Sequence, residues 1–268
     1  MSLPPPAAGQ VVLVTGASSG IGAELARQLA ALGHDLVLVA RRAERLEQLA
    51  TALNAEHGVD ALAGPTDLAD AEQRHQLIAS VRASEKFVAG LCNNAGFGSY
   101  ARVLDVNPAT EAAMVQVNVA AVHELTLAFV GTMVARRAGA ILNVASLAAF
   151  QPVPGMATYA ATKAFVQSFS EALHAELAGT GVSCTVLAPG PVPTEFGAVA
   201  GTDNVESLVP GFVSEPPEEV AAAAVRGMLR GRRSVVPGAA TKALATGGRH
   251  VPRSILLPVA RRAQRDKG

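Results

Sequence analysis

Seven short apolar runs, separated by six stretches with helical spacing, set the architecture of this chain. The runs are Gln10–Val14, Asp35–Ala40, Asp60–Ala63, Phe87–Cys92, Ala140–Val144, Ser183–Leu187 and Ser234–Val236. Between them lie Gly20–Leu32, Ala43–His57, Ala71–Ser84, Thr110–Arg137, Thr158–Gly179 and Pro217–Arg230. The runs do not alternate apolar with polar residues, which is the pattern of strands covered on both faces. Repeated strand–helix–strand units predict an α/β fold: a doubly wound, Rossmann-like parallel sheet of about seven strands with helices on both faces.

No composition break divides residues 10–237, so they are expected to form one domain. Residues 1–9, rich in Pro and Ala, read as a loose tail without the marks of a signal peptide. Glu195–Pro216 is rich in Gly, Pro and Ser, carries Phe196, Val199, Leu208 and Phe212, and follows a strand, which suits a variable substrate loop acting as a lid. Residues 238–268 form a basic, weakly amphipathic extension.

Composition removes several function classes. Half of the 268 residues are hydrophobic, so the chain is not disordered, and 22 Lys+Arg against 22 Asp+Glu leave no global basic field to hold nucleic acid. Trp is absent and aromatics total 4%, which argues against stacking platforms for single strands. Cys92 and Cys184 each sit in an apolar run and read as core thiols in a reducing compartment. The six histidines show no ligand spacing, so no metal is expected. No run reaches the roughly 18 consecutive apolar residues of a membrane span, and the expected location is cytoplasmic.

The first run leads directly into Thr15-Gly16-Ala17-Ser18-Ser19-Gly20-Ile21-Gly22, after which a helix begins. Gly16 suits a tight turn, Gly20 lets backbone approach a pyrophosphate, and Gly22 permits close packing of helix on strand. The anion would rest at the helix N-terminus. The spacing, G-x-x-x-G-x-G, is one residue longer than the usual dinucleotide fingerprint, and a plain turn is the alternative. A Walker loop is excluded because no Gly-Lys-Ser/Thr follows. The second run ends in Arg41-Arg42, where NAD selection would place an acid. Two arginines suit a 2′-phosphate instead, so NADP(H) is expected over NAD(H). The alternative is a solvated helix start, with Glu44 and Glu47 close by.

The stations Thr15–Gly22, Asp67, Asn93-Asn94-Ala95-Gly96, Asn118, Ser146, Tyr159-x-x-x-Lys163 and Pro189-Gly190-Pro191-Val192-Pro193-Thr194 stand in order along residues 10–237. In that order and spacing the chain resembles the short-chain dehydrogenase/reductase family, in its single-domain branch. The resemblance implies an NADPH-dependent oxidoreductase with Asn118, Ser146, Tyr159 and Lys163 as its catalytic group. Physical chemistry gives these residues roles. Tyr159 and Lys163 lie four apart on one helix face, and a neighbouring cation is expected to lower a phenol from its ordinary value near 10 toward the working range of an acid–base. Lys163 can also bond the nicotinamide ribose. Ser146 can hold a carbonyl oxygen as it gains charge, and the resemblance gives Asn118 a water leading from Lys163.

The remaining stations are expected to bind coenzyme together with Thr15, Gly16, Ser18, Ser19, Gly20, Ile21 and Gly22. Asp67 would accept from the adenine amino group, helped by the Leu68 backbone, with a helix N-cap as its alternative. Asn94, Ala95 and Gly96 would lie against the adenine ribose. Pro189 and Gly190 would pass the nicotinamide, Val192 would bond its carboxamide, and Thr194 would close over it. Ala148–Gln151, Gly155–Met156, Phe97–Tyr100 and the segment after Thr194 would wall the substrate. Their apolar character points to a hydrophobic ketone, aldehyde or alcohol. A non-catalytic NADP(H)-binding regulator on the same fold is the alternative function.

Thr158–Gly179 carries Phe165, Phe169, Leu173 and Leu177 at i, i+4 intervals, a face suited to covering the sheet, with small residues left for a partner helix. The family resemblance implies that this helix and Thr110–Arg137 together build the interface of a homodimer or homotetramer. Arg249, Arg253, Arg261, Arg262, Arg265 and Lys267 surround Ile255–Leu257 and Val259. They are expected to pack on the chain's own domain or a neighbouring subunit, a membrane surface being the less favoured reading.

Overall fold

A computed structural model of the chain describes residues 3–201 and 214–258. Strand and helix alternate through its first half as β1 (Gln10–Thr15), α1 (Gly20–Ala31), β2 (Leu36–Ala40), α2 (Ala43–His57), β3 (Ala61–Pro65), α3 (Ala71–Ala83) and β4 (Phe87–Asn93). The second half runs α4 (Pro108–Val115), α5 (Val122–Arg136), β5 (Gly139–Val144), α6 (Ala157–Glu176) and β6 (Val182–Leu187). After these come the single turn α7 (Phe196–Val199), then α8 (Pro217–Leu229), β7 (Ser234–Val235) and α9 (Ala239–His250). All neighbouring strands pair in parallel, in the order β3-β2-β1-β4-β5-β6-β7. The chain winds outward from β1 to β3, then restarts at β4 on the opposite side of β1. That reversal opens a crevice at the carboxyl ends of β1 and β4.

Both sheet faces are covered, which is why the strand runs are apolar throughout. Val12 and Val14 point into a layer with Leu25 and Leu29 of α1, Leu46 and Leu53 of α2, and Val220 and Met228 of α8. Val11 and Leu13 point the other way, against Leu77 of α3, Leu125, Phe129 and Met133 of α5, and Leu173 of α6. Cys92 and Cys184 are fully buried, and burial pushes both thiols up to about 12.

Between α4 and α5 the helix does not break. Gln116–Ala121 form a π-helical turn, making one rod from Pro108 to Arg136. Its length and composition would suffice to cross a bilayer, yet Leu125, Phe129 and Met133 are buried on the sheet.

Two expectations are corrected by packing. Leu3 does not belong to a loose tail, although residues 5–9 stay exposed: it is itself 3% exposed, and its N–H donates to the Met228 carbonyl. It fills space left by the missing side chain of Gly90, where a Cβ would lie 2.9 Å from Leu3 Cδ1. On α6, Leu173 and Leu177 reach the sheet, but Phe165 stacks on Phe169 and stays 38% exposed. Tyr159, Lys163, Val166 and Ser170 take the buried face of these turns, and helical phase turns Phe165 away from it. The C-terminal segment starts as an ordinary packed helix, with Thr241 and Ala245 of α9 buried. Arg261, Arg262, Arg265 and Lys267, which carried the membrane reading, lie outside the described residues, as do Leu208 and Phe212.

Candidate active site

The loop after β1 is built to receive an anion. Ser19, at the N-cap of α1, makes no side-chain cap, and the first turn holds no acidic residue. The helix dipole and the unpaired first-turn N–H groups therefore face the crevice. Gly20 has φ +52, and a Cβ there would meet the Thr194 methyl at 2.8 Å. At Gly22 a Cβ would lie 2.2 Å from the Gly16 carbonyl oxygen, so the loop can close onto α1 only through a glycine.

Thr15 stands behind this loop. Its hydroxyl accepts from the N–H groups of Asn94 and Ala95, both at 3.0 Å, and donates to the Cys92 carbonyl at 3.3 Å. Asn94 returns a bond to the Thr15 carbonyl at 3.0 Å. These bonds fix the end of β4 against the glycine loop.

A cleft of about 770 Å³ runs along the carboxyl edge of the sheet. Gly16, Ser18, Ser19, Gly20, Ile21, Arg41, Arg42, Asp67, Leu68, Asn94, Ala95 and Gly96 line one end, and Ser146, Tyr159, Lys163, Pro189, Gly190, Val192 and Thr194 the other. A volume of this size suits a cofactor together with a small molecule. Thr15, Gly22 and Asn118 do not line it; they support residues that do.

At the adenosine end, the N-cap alternative for Asp67 is corrected. Asp70 caps α3 by accepting from the N–H groups of Glu72 and Gln73, while Asp67 accepts from Ala69 N at 2.9 Å and stays on the cleft wall. Arg74, which is buried and was not singled out from sequence, donates to the Leu68 carbonyl at 2.9 Å and to both carboxylate oxygens of Glu124 at 2.7 and 3.0 Å. It ties the Asp67–Leu68 turn to α5. A lone Arg at a helical position looks solvated in a sequence, and only the 50-residue separation from Glu124 hides the pair.

At the other end, Tyr159 and Lys163 lie one turn apart on α6, and both are buried. Lys163 Nζ donates to the Val144 carbonyl at 2.8 Å and lies 5.8 Å from the Tyr159 ring centroid. Asn118, in the π-helical turn, is fully buried. Its side chain accepts from Phe97 N at 3.1 Å, and donates to Phe97 O at 2.9 Å and Thr162 Oγ1 at 3.1 Å. The widened turn thereby locks the Asn94–Phe97 segment to α6. Ser146 leaves β5 in extended backbone and accepts from Ala148 N at 3.1 Å.

The expectation that Lys163 lowers the Tyr159 phenol is corrected. Burial pushes Tyr159 up to about 12, with only a hydrogen bond from Ser146 acting the other way. Burial also brings Lys163 down to about 8. Desolvation disfavours both charged forms and is the largest cause of each shift.

The substrate end is apolar. Phe97, Val153, Met156 and Phe196 line it, and the Phe196 ring packs on Tyr159 with centroids 5.3 Å apart. Ala148 and Gln151 reach the cleft as expected, but Phe150 does not: it is buried with Val166 and Ala245, under α9. Phe196 belongs to the variable segment expected to cover the site, whereas Val153 belongs to no motif and carries no sequence signal.

The family model for short chain dehydrogenase matches residues 10–204. Sulfoacetaldehyde reductase 2 from Chromohalobacter salexigens is 38% identical over 200 residues, which is 74% of this chain and 79% of that one. Among solved structures, a short-chain dehydrogenase from Sphingobium yanoikuyae in complex with NADPH is similar at a TM-score of 0.80 and 32% identity, covering 96% of this chain and 95% of that one. The bulky-bulky ketone specific alcohol dehydrogenase from Comamonas testosteroni is similar at a TM-score of 0.76 and 29% identity, covering 97% and 94%. With its crossover topology, glycine loop and Tyr-x-x-x-Lys helix in that company, this chain belongs to the short-chain dehydrogenase family.

Proposed function

We propose that this oxidoreductase uses NADP(H) to reduce a neutral, apolar ketone or aldehyde, or to oxidise the matching alcohol, with Tyr159 as general acid–base. The observation that carries the reading is the buried Tyr159 hydroxyl set between an anion-ready coenzyme loop and an apolar wall. The residues present fit the coenzyme. The uncapped N-terminus of α1 suits a pyrophosphate, and Ser18 and Arg42 meet where a 2′-phosphate would sit. Bound there, the coenzyme supplies the hydride.

The chain's own residues supply position and protons. Burial keeps Tyr159 protonated at neutral pH, which is the form that can donate to a carbonyl oxygen during reduction. Ser146, which lines the same cleft, holds that oxygen. Lys163 is anchored by Val144, and Asn118 holds the backbone at Phe97 that flanks it.

Substrate charge follows from what the wall lacks. Among the described residues lining the cleft, the cations are Arg41 and Arg42 at the adenosine end and Lys163 beside Tyr159. Residues 202–213 contain no Lys or Arg in sequence. Among the described residues a sulfonate or carboxylate substrate would have no dedicated partner and would pay desolvation. A panel of carbonyls with NADPH, followed by loss of NADPH fluorescence, tests this. Turnover of neutral bulky ketones is expected, and a preference for sulfonated or carboxylated aldehydes overturns it.

We also infer self-association through α5 and α6. Leu127 is 55% exposed and Phe165 38% exposed, large apolar side chains that a second copy would cover. A dimer or tetramer by light scattering is expected, and a monomer overturns this.

A further inference from the structure

The arginine edge of the cleft already holds an anion from the chain itself. Glu195 Oε2 lies 2.6 Å from Arg42 Nη1, and Glu195 Oε1 lies 2.7 Å from Arg45 Nη1. Arg42 also donates from Nη2 to Ser19 Oγ at 2.8 Å and to Ser18 Oγ at 2.9 Å, and from Nε to Ser18 Oγ at 3.1 Å. Glu195 comes from beyond β6, next to Thr194, whose methyl rests on Gly20. The pairing thus crosses the mouth of the cleft, from the start of α2 to the segment that carries Phe196.

This arrangement has a competitive character. A 2′-phosphate needs the same guanidinium edge and serine hydroxyls, and it brings up to two negative charges. It cannot share Arg42 Nη1 with a carboxylate at contact distance without strong repulsion. The side chains of Arg42, Arg45 and Glu195 are 41%, 48% and 46% exposed, so the carboxylate can be taken up by water when displaced. The two arginines, Arg45 first, hold its carboxyl down at about 2, so it is charged at every working pH.

We propose that Glu195 is a coenzyme-discrimination residue: an internal stand-in for the 2′-phosphate, which NADP(H) must displace from Arg42 on binding and NAD(H) need not. The proposal rests on the NADP(H) reading of Arg42. It makes Glu195 a brake on the phosphorylated coenzyme, and it links the 2′-phosphate to the release of the segment over Tyr159.

The test is calorimetric titration of the intact protein with 2′,5′-ADP and with 5′-AMP, comparing the parent chain, Glu195→Gln and Arg42→Ala. Glu195→Gln is expected to bind 2′,5′-ADP about three- to tenfold more tightly, the scale of one or two exposed ion pairs. Its affinity for 5′-AMP is expected to stay unchanged, and Arg42→Ala is expected to lose the preference for 2′,5′-ADP. If the parent chain prefers 2′,5′-ADP but Glu195→Gln gains nothing or weakens, Glu195 is no competitor and the NADP(H) reading survives. If neither the parent nor Glu195→Gln distinguishes the two nucleotides, both readings fall.

Discussion

Lys163 Nζ is tethered 2.8 Å from the Val144 carbonyl at the end of β5, so the ammonium is held by backbone and not by a carboxylate. Among the described residues no acid compensates its burial, and the group is brought down to about 8. The unfolded chain, with an ordinary Lys near 10.4, binds the proton more tightly than the folded one between these values. Folding stability contributed by this site therefore rises as pH increases through that window. Chemical denaturation at about pH 7.5 and about pH 9.5 should show the parent chain gaining about 1–2 kcal/mol relative to Lys163→Met. A constant difference between the two proteins would show that Lys163 titrates in the fold as it does in the unfolded chain.

Replacing the phenol removes the proton while keeping the ring against Phe196. Tyr159→Phe is expected to lower kcat about 10²–10⁴-fold, the range of general acid–base catalysis. Coenzyme affinity, read by quenching of NADPH fluorescence, should change little. Retained turnover would move the acid–base role to another group.

Much of this was legible from residues alone, and the reason is locality. The glycine loop, the Tyr-x-x-x-Lys pair and the apolar strand runs declare themselves within a few positions, since turn geometry, helix periodicity and two-sided burial act over short stretches. The parallel sheet with helices on both faces follows from the same short-range patterns. What stayed hidden depends on partners far apart in sequence. Glu195 reads as one residue of a Gly- and Pro-rich loop, and nothing nearby reveals that it meets Arg42 and Arg45. Phe150 and Phe196 are both apolar residues beside motifs, yet one packs under α9 and the other over Tyr159. The direction of the Tyr159 shift is hidden for a related reason: helical spacing shows that a cation is near, but not how completely water is excluded.

Phe196 closes the apolar wall above the phenol, so its loss should act on substrate more than on coenzyme. Phe196→Ala is expected to raise KM for bulky ketones about tenfold, in line with removing a large apolar contact worth about 1–3 kcal/mol. Steady-state kinetics at saturating NADPH would check it. An unchanged KM would mean the ring packs on Tyr159 without touching substrate.

Leu3 lies in the main core, between Gly90 and Met228. Leu3→Ala should cost about 2–4 kcal/mol of stability, the scale of other buried leucine truncations. It should lower the melting temperature measured by circular dichroism while leaving kcat close to the parent value. A surface-like change below about 0.5 kcal/mol would return Leu3 to the status of a tail.

The contact of Leu3 with Met228 also has a consequence for biosynthesis. A residue near the amino end meets its lid only after the eighth helix has left the ribosome, so the hydrophobic pocket beneath Gly90 stays open through most of translation. Sealing that layer is a late event of high sequence separation, and a nascent chain halted before α8 would carry a greasy slot that chaperones can recognise.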